Sequence, residues 1–220
     1  MADRITDRAL LNTLSKFPPE IQGDPFLRSF WLGVSVLRYF LGPEWVENYV
    51  GLGQDAPTFL RLIATDKDRV QSQISTFKIV DLAEILLNLQ TIPELKICLD
   101  RMRRGAIEPT YAELDLGRML YVSGINFRYV KPQQTKGQDY DIEIVLADGC
   151  VVCADAKCKI EATSFSAKTV LNSLQEARKQ FPKERPSVVF MKVPPQWLEQ
   201  KEIWKSLAET AAKFFKVRSA

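Results

Sequence analysis

A change of periodicity near Glu108-Pro109 constrains this chain more than any other feature. Before it, apolar residues recur at helical spacing; after it, short strands alternate with helices. Asp24-Pro25 opens a segment whose apolar residues Phe26, Phe30, Val34, Leu37 and Leu41 follow in steps of four, four, three and four, with Leu27 and Trp31 widening the stripe. Gly42-Pro43 ends it. A second helical stretch runs from about Ser75 to Asn88, through Phe77, Ile79, Val80, Leu82, Ile85 and Leu86. Pro93 starts another, closing at Arg101-Met102-Arg103-Arg104-Gly105. These patterns predict an all-α domain over residues 1–105, with no clustered carboxylates, Gly-rich phosphate loop or nucleophile motif. Its aromatic residues Phe26, Phe30, Trp31, Tyr39, Phe40 and Trp45 have two readings, a packed core or a groove for a protein partner or self-association.

Residues 106–220 follow another grammar. Thr110 to Val122 reads as a helix stopped at Ser123-Gly124, and Asn126 to Val130 as a strand. Pro132 to Gln138 is a polar loop. Tyr140–Leu146 and Cys150–Cys158 read as two strands joined at Ala147-Asp148-Gly149, a hairpin signal. Ser166 to Phe181 is an amphipathic helix, Ser187 to Val193 a buried-looking strand, and Pro194-Pro195 leads into a final helix to about Val217. The order α-β-β-β-α-β-α predicts a mixed sheet flanked by helices, an α/β (α+β) domain.

Composition narrows the chemistry. The 220 residues include no histidine, which removes Ser-His-Asp and Cys-His catalysis and imidazole metal ligation together. Catalysis in such a chain runs on carboxylates, lysine, hydroxyls or thiols. No apolar run approaches the roughly 18 residues of a membrane span, and Met1 to Arg8 carries acids without an apolar signal core, so a cytoplasmic protein without a membrane partner is expected. Cys98, Cys150, Cys153 and Cys158 are too few and too clustered for a disulfide scaffold. Cys150 and Cys153 stand three apart on a strand, facing opposite sides, and read as core residues rather than a zinc pair. Charge is uneven: residues 156–220 carry 13 Lys and Arg against 6 Asp and Glu, a net of +7, making the C-terminal third a candidate polyanion surface.

The hairpin carries the most chemical signal. Asp155 and Lys157 are two apart on the second strand and share a face. Asp141 stands near the start of the first strand, with Asp139 two residues before it. Strand pairing brings Asp141 towards Asp155, and two like charges held together are costly unless a cation lies between them. Oxygen ligands with open positions suit Mg²⁺ or Mn²⁺. Glu113, on the preceding helix, offers a third carboxylate. Lys157 offers a cation to steady a phosphate or help deprotonate a water. The alternative is a surface Asp-x-Lys pair worth about 0–1 kcal/mol. Against it, the flanks Val151, Val152, Cys153, Ala154 and Ala156 describe a central, buried strand.

Glu113-Leu-Asp-Leu-Gly-Arg-Met-Leu-Tyr-Val-Ser-Gly124, then Tyr140-Asp141-Ile-Glu-Ile, then Asp155-Ala156-Lys157, resembles in its order the PD-(D/E)XK nuclease superfamily over about residues 108–195. The resemblance implies a restriction-endonuclease-like αβββαβ core with a C-terminal helix after the N-terminal all-helical domain. It implies a hydrolase: a divalent-metal-dependent nuclease using Mg²⁺ or Mn²⁺. Asp141 and Asp155 would be the metal-binding aspartates, Ala156 a backbone-carbonyl ligand, Lys157 the lysine of the last motif and Glu113 the helix glutamate. Tyr140 stands where the family has proline, leaving Asp139 and Asp141 as rival first aspartates. Asp141 is favoured because Ile142-Glu143-Ile144 follows it as a strand should. Gln175 is similar to a glutamine that some subgroups place near the site. Lys159, Lys168, Arg178 and Lys179, with Lys183 and Arg185, are the expected phosphate contacts, and nucleic acid, DNA before RNA, the expected partner. The alternative expectation is a catalytically silent module that keeps the fold and binds nucleic acid or protein.

Overall fold

The computed structural model describes residues 4–50, 60, 69–160 and 163–216. Met1 to Asp3, and Val217 at the expected end of the last helix, lie outside that range. The chain is mixed α+β, with ten helices and one four-stranded sheet among the described residues. None of these helices is long and apolar enough to cross a membrane. The chain divides into two compact units, Met1–Thr91 with Leu99–Gly105, and Ile92–Cys98 with Ala106–Ala220. Residues 92–98 therefore belong to the second unit, although helical periodicity alone groups them with the first.

The first unit contains α1 (Asp7–Leu14), α2 (Pro19–Gly23), α3 (Pro25–Leu41), α4 (Pro43–Tyr49) and α5 (Arg69–Leu89), with the end of α6 (Leu95–Arg103). Asp24 caps α3 by accepting from Phe26 N (2.8 Å) and Leu27 N (3.1 Å), and Pro25 presets the first turn. The helix stops at Gly42, whose φ of 99° favours glycine. Its buried face, Val34, Val36, Leu37, Phe40 and Leu41, packs on α5, which buries Ile79, Leu82, Ile85 and Leu86. Each such side chain removed from water contributes about 1.5–3 kcal/mol. Gly33 permits close approach, since a Cβ there would lie 3.4 Å from Val80 Cα. The aromatic set divides: Phe40 and Trp45 are buried, Phe30 is partly buried, and Phe26, Trp31 and Tyr39 are exposed.

The second unit is built on α7 (Ile107–Val122), β1 (Asn126–Tyr129), β2 (Ile142–Val145), β3 (Val151–Cys158), α8 (Ala167–Gln180), β4 (Ser187–Lys192), α9 (Pro195–Leu198) and α10 (Ile203–Lys216). The sheet order is β1-β2-β3-β4, with β1/β2 and β2/β3 antiparallel and β3/β4 parallel across α8. The hairpin turns where expected: Gly149 takes φ 81°, and Asp148 Oδ1 accepts from Cys150 N at 2.9 Å. The final helix is split, because the chain turns between Leu198 and Ile203. The strand expected to be buried is β4, but it forms a sheet edge with Ser187 and Val188 exposed.

Helices cover both faces of the sheet. On one, α7 packs against β1 and β3. On the other, α8 and α10 enclose Val170, Trp197 and Ile203, against which Met191 of β4 packs. Trp197 is fully buried, donates Nε1–H to Thr163 O at 2.7 Å and meets Phe165 edge-on at 5.1 Å.

Candidate active site

Alternation along β3 puts Cys153, Asp155 and Lys157 on the face covered by α8, and Val152, Ala154 and Ala156 on the face covered by α7. The hairpin register pairs Ile142 with Ala154, so Asp141, one residue earlier, stands across from Asp155, one residue later. Asp141 is held on three sides. Its N–H donates to Ala154 O at 3.0 Å, its C=O accepts from Val130 N at 2.8 Å, and its Oδ2 accepts from Ala156 N at 2.9 Å. A strand residue points its C=O to the same edge as its N–H, so the Ala156 carbonyl faces that edge too.

Asp155 is 1% exposed. Lys157 Nζ lies 2.8 Å from its Oδ2 but off the hydrogen-bonding direction, so neither Asp155 oxygen has a hydrogen-bond partner among the described residues. Burial, reinforced by the Asp141 carboxylate and opposed by the Lys157 ammonium, pushes the Asp155 carboxyl up to about 7. A buried carboxylate with neither oxygen hydrogen-bonded among the described residues, facing a second carboxylate, is a donor set that suits a hard divalent cation with waters completing its shell. Asp141, Asp155 and the Ala156 carbonyl would hold it. Among the described residues no three Asp, Glu or Cys side chains gather into a metal-ion group.

Glu113 accounts for that. It is buried on α7, where Cys98 Sγ lies 4.0 Å from its Oε2, and it acts on Tyr129. Tyr129 pairs with Ile142, which pairs with Ala154, so Tyr129 and Glu113 lie on the sheet face opposite Asp155. Glu113 and Asp141 both act on Tyr129, and among the described residues Glu113 does not gather with Asp141 and Asp155 into a metal-ion group. The Tyr129 hydroxyl is buried without a hydrogen-bond partner among the described residues. Burial first, then Cys98, Glu113 and Asp141, hold it protonated well above the ordinary tyrosine range.

Between the rival aspartates, Asp139 serves the loop: its Oδ1 accepts from Gln134 N at 3.2 Å. Only Asp141 reaches β3. Gln175 is exposed on α8, and the glutamine that meets the lysine is Gln180, at the end of the same helix. Gln180 Oε1 accepts from Lys157 Nζ at 2.5 Å, and its Nε2–H donates to Asp139 O at 3.1 Å. The loop is fastened there again by Asp139 N donating to Gln180 O (3.1 Å) and Gly137 N to Lys179 O (3.0 Å). Gln180 escaped the sequence reading because its position follows from where α8 ends against the loop, not from a motif.

The expected phosphate contacts scatter. Lys159 Nζ is turned onto α8, donating to Ser173 Oγ and Thr169 O, and burial lowers its pKa. Lys179 pairs with Glu176 at 2.7 Å, and Arg178 stacks over Phe214 of α10 at 5.9 Å. Lys168 is exposed on α8. None of the four cysteines is in a disulfide among the described residues; Cys98 and Cys153 are buried, and Cys150 and Cys158 partly so.

Compared with protein-family models, with curated proteins and with solved structures, the chain matches none.

Proposed function

We propose that the second unit is a restriction-endonuclease-like core and that Asp141, Asp155 and Lys157 form the centre of a divalent-metal-dependent nuclease. The observation that carries this reading is Asp155, sealed in the sheet with neither oxygen hydrogen-bonded among the described residues, the Lys157 ammonium beside it and a second carboxylate across the hairpin. Such an arrangement is unfavourable on its own and becomes favourable with a cation between the acids. Mg²⁺ or Mn²⁺ at that point supplies positive charge to a phosphodiester and acidity to water.

The chain's own residues do the rest. Asp141, braced by Ala156 N–H, and Asp155, fixed by burial, hold the cation position with little freedom. Lys157 stands beside them, partly exposed, with its ammonium directed by Gln180, so it meets the negative charge that develops on phosphate. Gln180 is a positioning residue that ties the lysine to the 131–138 loop.

Cleavage of labelled single-stranded and duplex DNA and RNA with Mg²⁺ or Mn²⁺ tests the reading. Asp155→Ala and Lys157→Ala are expected to abolish turnover while the protein stays folded; both variants cutting at the wild-type rate would remove the assignment. A second reading, a silent module that binds without cutting, draws on one observation: among the described residues no third Asp, Glu or Cys gathers with the pair. It predicts nucleic-acid binding that needs no metal and yields no product.

A further inference from the structure

We infer that Arg128 and Arg185 form a phosphate clamp for the nucleic-acid backbone on the same sheet face as Asp155. This inference rests on the nuclease or nucleic-acid-binding reading of that face. Arg128 comes from the edge strand β1, and Arg185 from the segment that leads into the opposite edge strand β4. They converge on Glu143 of β2, which stands between them. Arg128 Nε donates to Glu143 Oε2 at 2.7 Å and its Nη2 lies 2.5 Å from the same oxygen; Arg185 Nη1 donates to Oε1 at 3.2 Å. Tyr140 Oη–H donates to Oε1 at 2.7 Å. The Glu143 side chain is 11% exposed, while those of Arg128 and Arg185 are 59% and 48% exposed.

The asymmetry is the informative part. Two guanidiniums answer one carboxylate, so the cluster carries one surplus positive charge, and it presents that charge outward. Tyr140 adds none, because burial and its bond to Glu143 hold its hydroxyl protonated. Burying a carboxylate among ionic partners contributes little stability compared with an apolar replacement, so packing alone gives no reason for the arrangement. It does fix two planar, five-donor groups in place, with Arg128 Nη1 and Arg185 Nη2 outside the bonds to Glu143. Fixed guanidiniums lose less entropy on binding phosphate than mobile surface lysines do.

The cluster also lies where a substrate strand would run. Arg128 pairs with Glu143, and Glu143 with Cys153, two residues before Asp155 on β3. Two residues along one strand and two strands across place Arg128 about 12 Å from Asp155 between Cα atoms, within reach of phosphates flanking the one at Asp155. On the β1 side Arg128 borders an open cleft of about 480 Å³ that Glu94, Lys131 and Gln133 also line, so the guanidinium is approachable.

The test is equilibrium binding of a fluorescein-labelled mixed-sequence oligonucleotide, single-stranded and as duplex, in EDTA so that no cation at Asp155 contributes. The full chain is compared with Arg128→Gln, Arg185→Gln and the double variant over a salt series, each checked for folding by thermal melting. Losing both contacts is expected to weaken binding at least about tenfold and to flatten the slope of log K against log salt by about 1.5. A methylphosphonate strand, which lacks backbone charge, is expected to bind wild type and variants alike. Arg185→Gln keeps the Arg128 pairing of Glu143, so it stays informative if the double variant unfolds. Unchanged affinity and salt slope in a folded Arg185→Gln would overturn the clamp. Loss of Mn²⁺ binding at Asp155 bears on the nuclease reading alone and leaves the clamp standing.

Discussion

Replacing Asp155 with asparagine isolates the cost of ionising a carboxyl inside the sheet. An unfolded aspartate loses its proton near its ordinary value of 3.8, whereas the folded one, desolvated and beside Asp141, holds it to about 7. Between those values the folded state binds the proton and the unfolded state does not, so raising the pH favours unfolding. The stability that the protonated group supplies is complete below about pH 4 and lost as the pH rises through about 7. Holding the proton to about 7 instead of 3.8 corresponds to about 4 kcal/mol between the two protonation states. That is an upper bound, because the protein relaxes around the charge.

Asparagine keeps the shape and cannot ionise. Chemical denaturation of wild type and Asp155→Asn at about pH 4 and about pH 8, followed by tryptophan fluorescence, is expected to show a steeper decline in wild type, with a difference of differences of about 2–4 kcal/mol. Comparing the two slopes cancels much of what the substitution does to Lys157 at both pH values. Adding Mg²⁺ at the higher pH should recover part of the loss in wild type and none in the variant. Parallel pH profiles for the two proteins would refute the claim that burial and Asp141 destabilise the Asp155 charge.

Three further outcomes follow from the packing. Gln180→Leu removes the acceptor for Lys157 Nζ and the donor to Asp139 O, so it should cost about 1–2 kcal/mol and speed amide exchange at Gly137 and Asp139; unchanged exchange at both would contradict the fastening of the loop to α8. Trp197→Ala empties the centre of the α8–α10 core and leaves Thr163 O without its donor, an expected loss of about 3–5 kcal/mol by denaturant titration, where less than about 1 kcal/mol would show that core to be loosely packed. Asp24→Ala strips two acceptor contacts from the start of α3 and should lower stability by about 1 kcal/mol, against no change if water caps that end equally well.

Sequence carried the candidate site unevenly, and the reasons are physical. Ala147-Asp148-Gly149 specified a tight turn, which fixed the hairpin register and set Asp141 across from Asp155. The two-residue period of a strand then gave Asp155 and Lys157 their common face. Glu113 was harder. Helical periodicity says which residues share a stripe, but not on which side of the sheet the helix lies, and α7 lies on the side away from Asp155. Glu143 read as one more strand residue between two isoleucines; its arginines come from β1 and from the segment before β4, distant in sequence. In β4 an apolar run of Val188, Val189, Phe190 and Met191 mimicked a central strand, yet strand order placed it at an edge. Gln180 depended on where one helix stops against one loop, a contact between segments 41 residues apart.

The central claim is that Asp141 and Asp155 together hold a divalent cation. Calorimetric titration of Mn²⁺ into the full chain, with Asp141→Asn and Asp155→Asn alongside and melting curves to show each is folded, tests it without any choice of substrate. The account predicts a saturable site in wild type that either substitution abolishes. Equal Mn²⁺ binding in all three proteins, or none in the wild type at a pH above about 7 where Asp155 is ionised, would contradict it.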